Sequence, residues 1–205
     1  VGSILFNVKS RSVLAQQSFL LPVENNNAEK INNIPAEITR LPQPLSEAII
    51  YFESLVRVSD LIVAHNAEFD KKWFGLNKLP RIEKPWICSM DDMTWPVDRQ
   101  LKPRPSVRDL ALAYGVPVWN AHRALTDCIY LAEVFKRCSD FEKLLIRGLE
   151  PKILVCAEIS YEERHLAKNS GFRWNDAIKG AWSRKMSRRD IEKLEFPVHE
   201  VESQS

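Results

Sequence analysis

No apolar run in this chain approaches the length of a membrane span. No secretory signal is visible either, so the protein is expected in the cytoplasm, with no part in a membrane. Charge of one sign is scarce. The formal net charge of the 205 residues is only +2, so no overall basic field marks a nucleic-acid binder. C-x-x-C pairing is missing: Cys88, Cys128, Cys138 and Cys156 stand apart, mostly in apolar contexts. They read as reduced core residues. The chain opens with Val1 rather than Met, as expected if it begins inside a longer protein. What is present is ordinary in bulk. The apolar share is 45%, and the length allows one large domain or one medium and one small. The six Trp read as core anchors rather than a cofactor box.

The chain is organised around Asn120-Ala121-His122-Arg123-Ala124-Leu125-Thr126-Asp127. It opens a helix whose apolar stripe is Ala124, Leu125, Cys128, Leu131, Ala132 and Phe135, with Asn120 as the expected N-cap. Asp127 borders that stripe, so its carboxylate is partly desolvated, which is costly unless a cation or donors meet it. In a continuous helix His122 and Asp127 would lie about 140° apart, at roughly 100° per residue. To share a site, His122 must curl over the helix start from the preceding loop or first turn. An imidazole above a buried carboxylate suits metal-assisted hydrolysis. A surface His beside a helix Asp held by an Arg is the plainer alternative.

Strand and helix signals alternate along the chain. Val1 to Val8 and Val13 to Val23 read as a hairpin. Pro35 can start a helical turn in the Asn-rich stretch after it. Leu45 to Val58 reads as an amphipathic helix. Leu61 to Ala64 is continuously apolar, as in a strand buried on both faces. Asn66 is expected to cap a helix from Ala67 to about Leu76, with Asp70 in its first turn, where the helix dipole favours a carboxylate. Trp86 to Met90 is a further strand end. Ser106 to Asp109 forms a capping box, and its helix stops near Gly115. A last helix runs from Asp140 to Arg147. The pattern implies an α/β layer structure, with active groups at the C-terminal ends of the strands, where Asp70 stands.

Three features occur in order: I-N-N-I-P-A-E after the hairpin, A-H-N-A-E-F-D after the buried strand, and A-H-R-A-L-T-D opening a helix after a Y-G-V turn. Over residues 1–148 this resembles the DEDD superfamily of 3′→5′ exonucleases, in the branch with an H-x4-D third motif (DEDDh). The proofreading subunit of bacterial DNA polymerase III belongs to it. The resemblance implies a ribonuclease H-like mixed sheet flanked by helices. It implies an enzyme that hydrolyses phosphodiester bonds at DNA or RNA 3′ ends and releases nucleoside monophosphates. Asp70 and Asp127 would be metal ligands for Mg²⁺ or Mn²⁺ in a two-metal site. His122 would be the general base. His65, Asn66 and Phe69 would line the floor near the terminal nucleotide, with Ile34 a wedge at the last base. The implied partner is a nucleic acid, as a single-stranded 3′ end, and a polymerase or repair assembly is a further implied setting.

The family's first motif, an Asp-x-Glu on a strand preceding Val1 to Val8, is absent. Either the sequence begins downstream of that strand, or the site is dead or single-metal and binds a nucleic-acid end without cutting it. Dropping a central strand would leave unpaired backbone groups on both neighbours, which favours the first reading. Residues 151–205 form a small α+β accessory module after the linker Glu150-Pro151-Lys152. In it, Ile153 to Ile159 reads as a strand, Ser160 to Asn169 as a helix, and Ser187 starts another, with a disordered tail from Glu200. Between Arg164 and Arg189 stand eight Lys or Arg against one acidic residue, Asp176. Interleaved with Phe172, Trp174 and Trp182, they suit a groove for single-stranded nucleic acid. The flanking acids nearly cancel that charge over the module, so an interaction or structural role stands beside it. A module this small also needs large side chains for its core.

Overall fold

The computed structural model describes residues 1–76, 79–119 and 122–201. The protein is mixed α/β. It divides into two compact units: Val1–Leu101 with Pro105–Gly148, and Lys102–Arg104 with Leu149–Ser205.

The first unit begins with the predicted hairpin. Strands β1 (Gly2–Asn7) and β2 (Ser12–Ser18) pair antiparallel, with a bulge between Leu5 and Phe6. Asn7 closes the turn by accepting from the Ser10 amide at 2.8 Å and its hydroxyl at 2.9 Å. Two short helices, α1 (Glu29–Asn32) and α2 (Ala36–Thr39), break the Asn-rich loop, and Pro35 stands at the N-cap of α2 as its fixed φ suits. Helix α3 (Leu45–Val58) occupies the predicted span and turns Phe52 and Leu55 inward. Strand β3 (Ile62–Ala64) leads through a two-residue turn into α4 (Ala67–Lys71), and β4 (Trp86–Cys88) pairs parallel to β3. A 3₁₀ turn covers Val97–Arg99. Helix α5 (Val107–Ala113) carries the predicted capping box, in which Ser106 and Asp109 satisfy each other's amides at 3.1 Å. Gly115, at φ +66°, ends it. Helices α6 (Ala124–Arg137) and α7 (Phe141–Gly148) complete the unit.

Helix α6 is the centre of this unit. It buries Tyr130, Leu131, Val134 and Phe135. Complete burial of a Leu, Val or Phe side chain stabilises by about 1.5–3 kcal/mol. Phe135 stacks on Phe141 at 4.1 Å, and Phe6 of β1 meets both rings edge-on at 6.0 and 6.1 Å. Val63 of β3 and Ile87 of β4 belong to the same cluster. Both ends of α6 are held by the hairpin. At the C-terminal end, Arg11 donates to the carbonyls of Phe135 at 2.7 Å and Cys138 at 2.9 Å, a cation on the negative end of the helix dipole. Near the N-terminal end, a Cβ on Gly2 would lie 2.7 Å from Leu125 Cα and closer still to its amide nitrogen.

The structure corrects five expectations. The Leu61 to Ala64 run is half-buried rather than buried on both faces, because among the described residues β3 pairs with β4 alone. Helix α4 stops at Lys71, not near Leu76. Asn66 precedes it in a left-handed conformation, φ +72°, with no side-chain cap bond; that backbone turn reverses the chain where a capping side chain was expected. Asn120 lies outside the described residues, and the observed cap of α6 is Arg123, extended and without a side-chain bond. The Trp residues are not uniformly core: Trp95 is buried, whereas Trp73, Trp119 and Trp174 are exposed.

The second unit is one antiparallel sheet of β5 (Ile153–Ala157), β6 (Arg173–Trp174), β7 (Trp182–Met186) and β8 (Val198–Glu200), in the order β6-β7-β5-β8. The predicted Ser160 to Asn169 helix shortens to α8 (Arg164–Asn169), followed by Gly171 at φ +78°. Ser187 caps α9 (Arg188–Ile191) through the Asp190 amide. Val155, Ala167, Phe172, Met186 and Phe196 form the core. Strand β8 was missed in the sequence because it is short and its last residue, Glu200, is charged. No helix among the described residues is long and apolar enough to cross a membrane.

Gly2→Ala tests the seat of α6. The added methyl would push the helix off β1, with an expected loss of about 1–3 kcal/mol, as for overpacking. A urea midpoint equal to that of the parent chain would contradict this packing.

Candidate functional site

Asp70 reaches its place because β3 ends at Ala64. The Ser89 amide extends the ladder by donating to the Ala64 carbonyl at 2.9 Å, after which His65 and Asn66 turn the chain. The Phe69 amide then bonds the Asn66 carbonyl at 2.8 Å and starts α4. The Asp70 carboxyl is half-buried, and burial pushes its pKa up to about 6, against smaller opposing effects of its own backbone amide and the Val1 amino group.

Asp127 lies in the first turn of α6, its amide on the Arg123 carbonyl at 2.9 Å. Burial raises its pKa as well, partly offset by a backbone hydrogen bond from His122 and by the nearby imidazole. The chain reverses at His122, φ +68°. His122 therefore comes over the helix start beside Asp127, as the spacing requires, and its side chain is exposed.

Cys128 follows Asp127 on α6. Its thiol faces the Gly2 carbonyl at 3.5 Å. Its pKa is pushed up to about 12, first by burial and then by the negative charges of Asp127 and Asp70. The thiol thus lies within electrostatic reach of both acids, and of the Val1 amino group that opens β1.

The other predicted residues are placed unequally. Ile34 is half-buried and pinned by its backbone: its carbonyl accepts from Asn26 at 2.7 Å and its amide donates to Asn32 at 3.0 Å. Arg123 reaches the Asn32 carbonyl at 3.3 Å, tying this loop to the start of α6. Phe69 is 58% exposed and meets Trp73 edge-on at 6.4 Å. His65 turns inward instead. Its Nδ1 lies 2.9 Å from the buried Ser89 hydroxyl, and its Nε2 is enclosed without a well-formed hydrogen bond. Burial lowers its pKa, with the Pro105 carbonyl and Asp91 in partial opposition.

Asn33, Asn66 and His122, all non-glycine residues at positive φ, lie at the three features singled out in the sequence. Such conformations concentrate at functional sites. Sequence reasoning missed that the Cys128 thiol responds to the charges of both acids, since apolar spacing made it only a stripe residue. The Arg123–Asn32 link has no sequence signal.

Asp70 and Asp127 are half-buried acids whose raised pKa values are only partly offset, by the Val1 amino group and by His122 respectively, and carboxylate oxygens are the hard ligands that Mg²⁺ or Mn²⁺ takes. Among the described residues, no three His, Cys, Asp or Glu side chains form a metal-holding group.

A family model described as Domain of unknown function (DUF8626) matches residues 153–201, the strands and helices of the second unit. No curated protein and no solved structure matches the chain.

The Asp70 shift sets a pH dependence. Unfolded, this carboxyl ionises near 3.8; folded, near 6. Between those values the folded chain binds more protons, so the contribution of Asp70 to stability falls as pH rises through this window. With chelator present, Asp70→Asn should raise the melting temperature above about pH 6 and give no such gain below pH 3.8. A gain of equal size at both ends would contradict the burial of a charged Asp70.

Proposed function

We propose that the first unit is a ribonuclease H-like 3′→5′ exonuclease domain of the DEDDh kind, acting on DNA or RNA ends. The observation that carries this reading is that Asp70 and Asp127 are both half-buried acids with raised pKa values whose charges both act on Cys128, with His122 reversing the chain beside Asp127. Desolvated carboxylates are costly unless a cation meets them, and a cation near both would offset the desolvation that raises their pKa values.

Asp70 and Asp127 would hold Mg²⁺ or Mn²⁺, which would supply positive charge to the phosphodiester undergoing hydrolysis. His122 takes the proton of the attacking water. The new oxygen–phosphorus bond forms as the bond to the 3′ oxygen breaks, and a nucleoside monophosphate leaves. Phe69 offers an exposed ring face to the terminal base, and the pinned Ile34 loop limits how far the strand advances. Asn66 fixes the turn before α4, and inward-facing His65 positions that turn through Ser89.

Two further carboxylates belong to this reading, on a D-x-E strand between β1 and β3. Among the described residues β1 pairs only with β2 and β3 only with β4, which leaves an edge of each for such a strand. The rival is a protein that binds a nucleic-acid end without cutting it. The lack of a three-residue metal-holding group among the described residues favours that rival for this chain alone.

The test is a nuclease assay on single-stranded DNA and RNA with free 3′ ends, in Mg²⁺, Mn²⁺ or chelator. It uses this chain and the same chain with a D-x-E strand ahead of Val1. Metal-dependent stepwise shortening is expected of the extended chain, with none for Asp127→Asn. His122→Ala should slow it by about 100-fold or more, the usual size for a lost general base. Full activity in Asp127→Asn, or no activity in the extended chain, would remove the exonuclease reading.

A further inference from the structure

The second unit carries a feature that the nuclease reading does not use. Its sheet ends at β6, an edge strand of two residues. Trp174 on β6 stands directly opposite Trp182 on β7. The rings are 5.9 Å apart and tilted by 57°. Their environments differ: Trp182 packs against the core of the unit, whereas Trp174 is 56% exposed. One ring anchors the pair and the other is offered to solvent.

The pair is held by a built turn. The Asn175 amide donates to the Ala181 carbonyl at 2.9 Å, and the Asn175 side chain accepts from the Gly180 amide at 2.8 Å. Asn175 at φ +59° and Gly180 at φ +74° give the reversal this loop needs. A fixed, exposed indole loses little freedom when something stacks on it.

The charge around it is mixed, and much of the basic part is already met by acids or carbonyls. Several arginines of the basic segment are engaged: Arg173 with Asp176 at 3.3 Å, Arg188 with Glu200 at 3.4 Å, and Arg189 with Glu150 at 3.1 Å. Arg164 lies 3.8 Å over the Tyr161 ring, and Arg184 donates to the Ser170 carbonyl. Lys168 and Lys179 are exposed and make no ion pair among the described residues. Lys179 is in the loop that joins the two Trp strands. Lys168 is on α8, which packs through Leu166 and Ala167 into the same core as Trp182.

We infer that the Trp174–Trp182 edge of the second unit, with Lys179 and Lys168, is a stacking platform for single-stranded nucleic acid. A free base has a π-face for the Trp174 ring, and its phosphates are the complement of unpaired lysines. A duplex offers the charge but not the base face. This binding stands independently of the nuclease reading, since none of its residues belongs to the first unit.

The test uses the whole chain with fluorescent circular single-stranded DNA and RNA in chelator, read by anisotropy. A circle has no 3′ end and chelator stops turnover, so the first unit's site does not contribute. Trp174→Ala should raise Kd about tenfold or more, the size of one lost base stack. Trp174→Phe should stay within about threefold, because a ring is kept. Lys179→Gln should weaken binding and lower the salt slope by about one contact. Unchanged melting temperatures would show that the variants fold. Absence of binding by the parent chain at low salt would overturn the platform and leave the exposed indole to a protein partner. Parent-like affinity in Trp174→Ala, or duplex bound as tightly as single strand, would overturn it equally.

Discussion

Helix α6 lies so close to β1 that residue 2 has no room for a side chain. Much of the first unit follows from that contact. The backbone of β1 meets the first turn of α6 directly, and Arg11, from the turn of the same hairpin, holds the carbonyls at its far end. Fixed at both ends, the helix has one position along the strand. Asp127 and Cys128 are placed by it, and the Cys128 thiol faces the Gly2 carbonyl. The aromatic cluster of Phe6, Phe135 and Phe141 then fills the space further along the same two elements.

That packing has an electrostatic consequence. A helix pressed onto a strand carries its bordering residues out of water, and Asp127 is one of them. Asp70 arrives by a different route, from the end of β3, and meets the same dry environment. In water both acids would ionise near their ordinary values; here burial holds them back. The left-handed residues Asn66 and His122 make the two approaches, and Asn33 turns the loop tied to Arg123. Asn and His tolerate this region better than most side chains, but it still disfavours the fold locally. On the proposed reading, a divalent cation held by both carboxylates would offset the cost of that buried charge.

The parts of this structure that were legible in the sequence are those set by local chemistry. The Ser106 box, the Gly115 stop and the helix over Leu45–Val58 follow from caps and periodicity, which act within a few residues. The spacing of His122 and Asp127 required a reversal over the helix start only if the two share a site, and the chain does reverse at His122. The missed features depend on tertiary neighbours. Asn66 looks like a cap and is instead a left-handed turn. Leu61 to Ala64 reads as doubly covered, yet pairs on one side among the described residues. His65 looked open and is closed against Ser89, a residue distant in sequence. Cys128 could be placed on the buried stripe, but its thiol facing the Gly2 carbonyl depends on where β1 packs. In the second unit, the basic and aromatic residues were visible. Which rings are core and which exposed was not, because strand pairing decides it.

The account turns on Asp70 and Asp127 sharing one cation. Paramagnetic broadening of backbone amide NMR signals by Mn²⁺ tests this most directly, since it needs neither substrate nor turnover. On titrating Mn²⁺ into the labelled chain, the amides of Asp70, His122, Asp127 and Cys128 are predicted to broaden together and first. In the Asp127→Asn protein they should all lose that priority. Broadening around one acid without the other, or first elsewhere in the chain, would contradict a shared site.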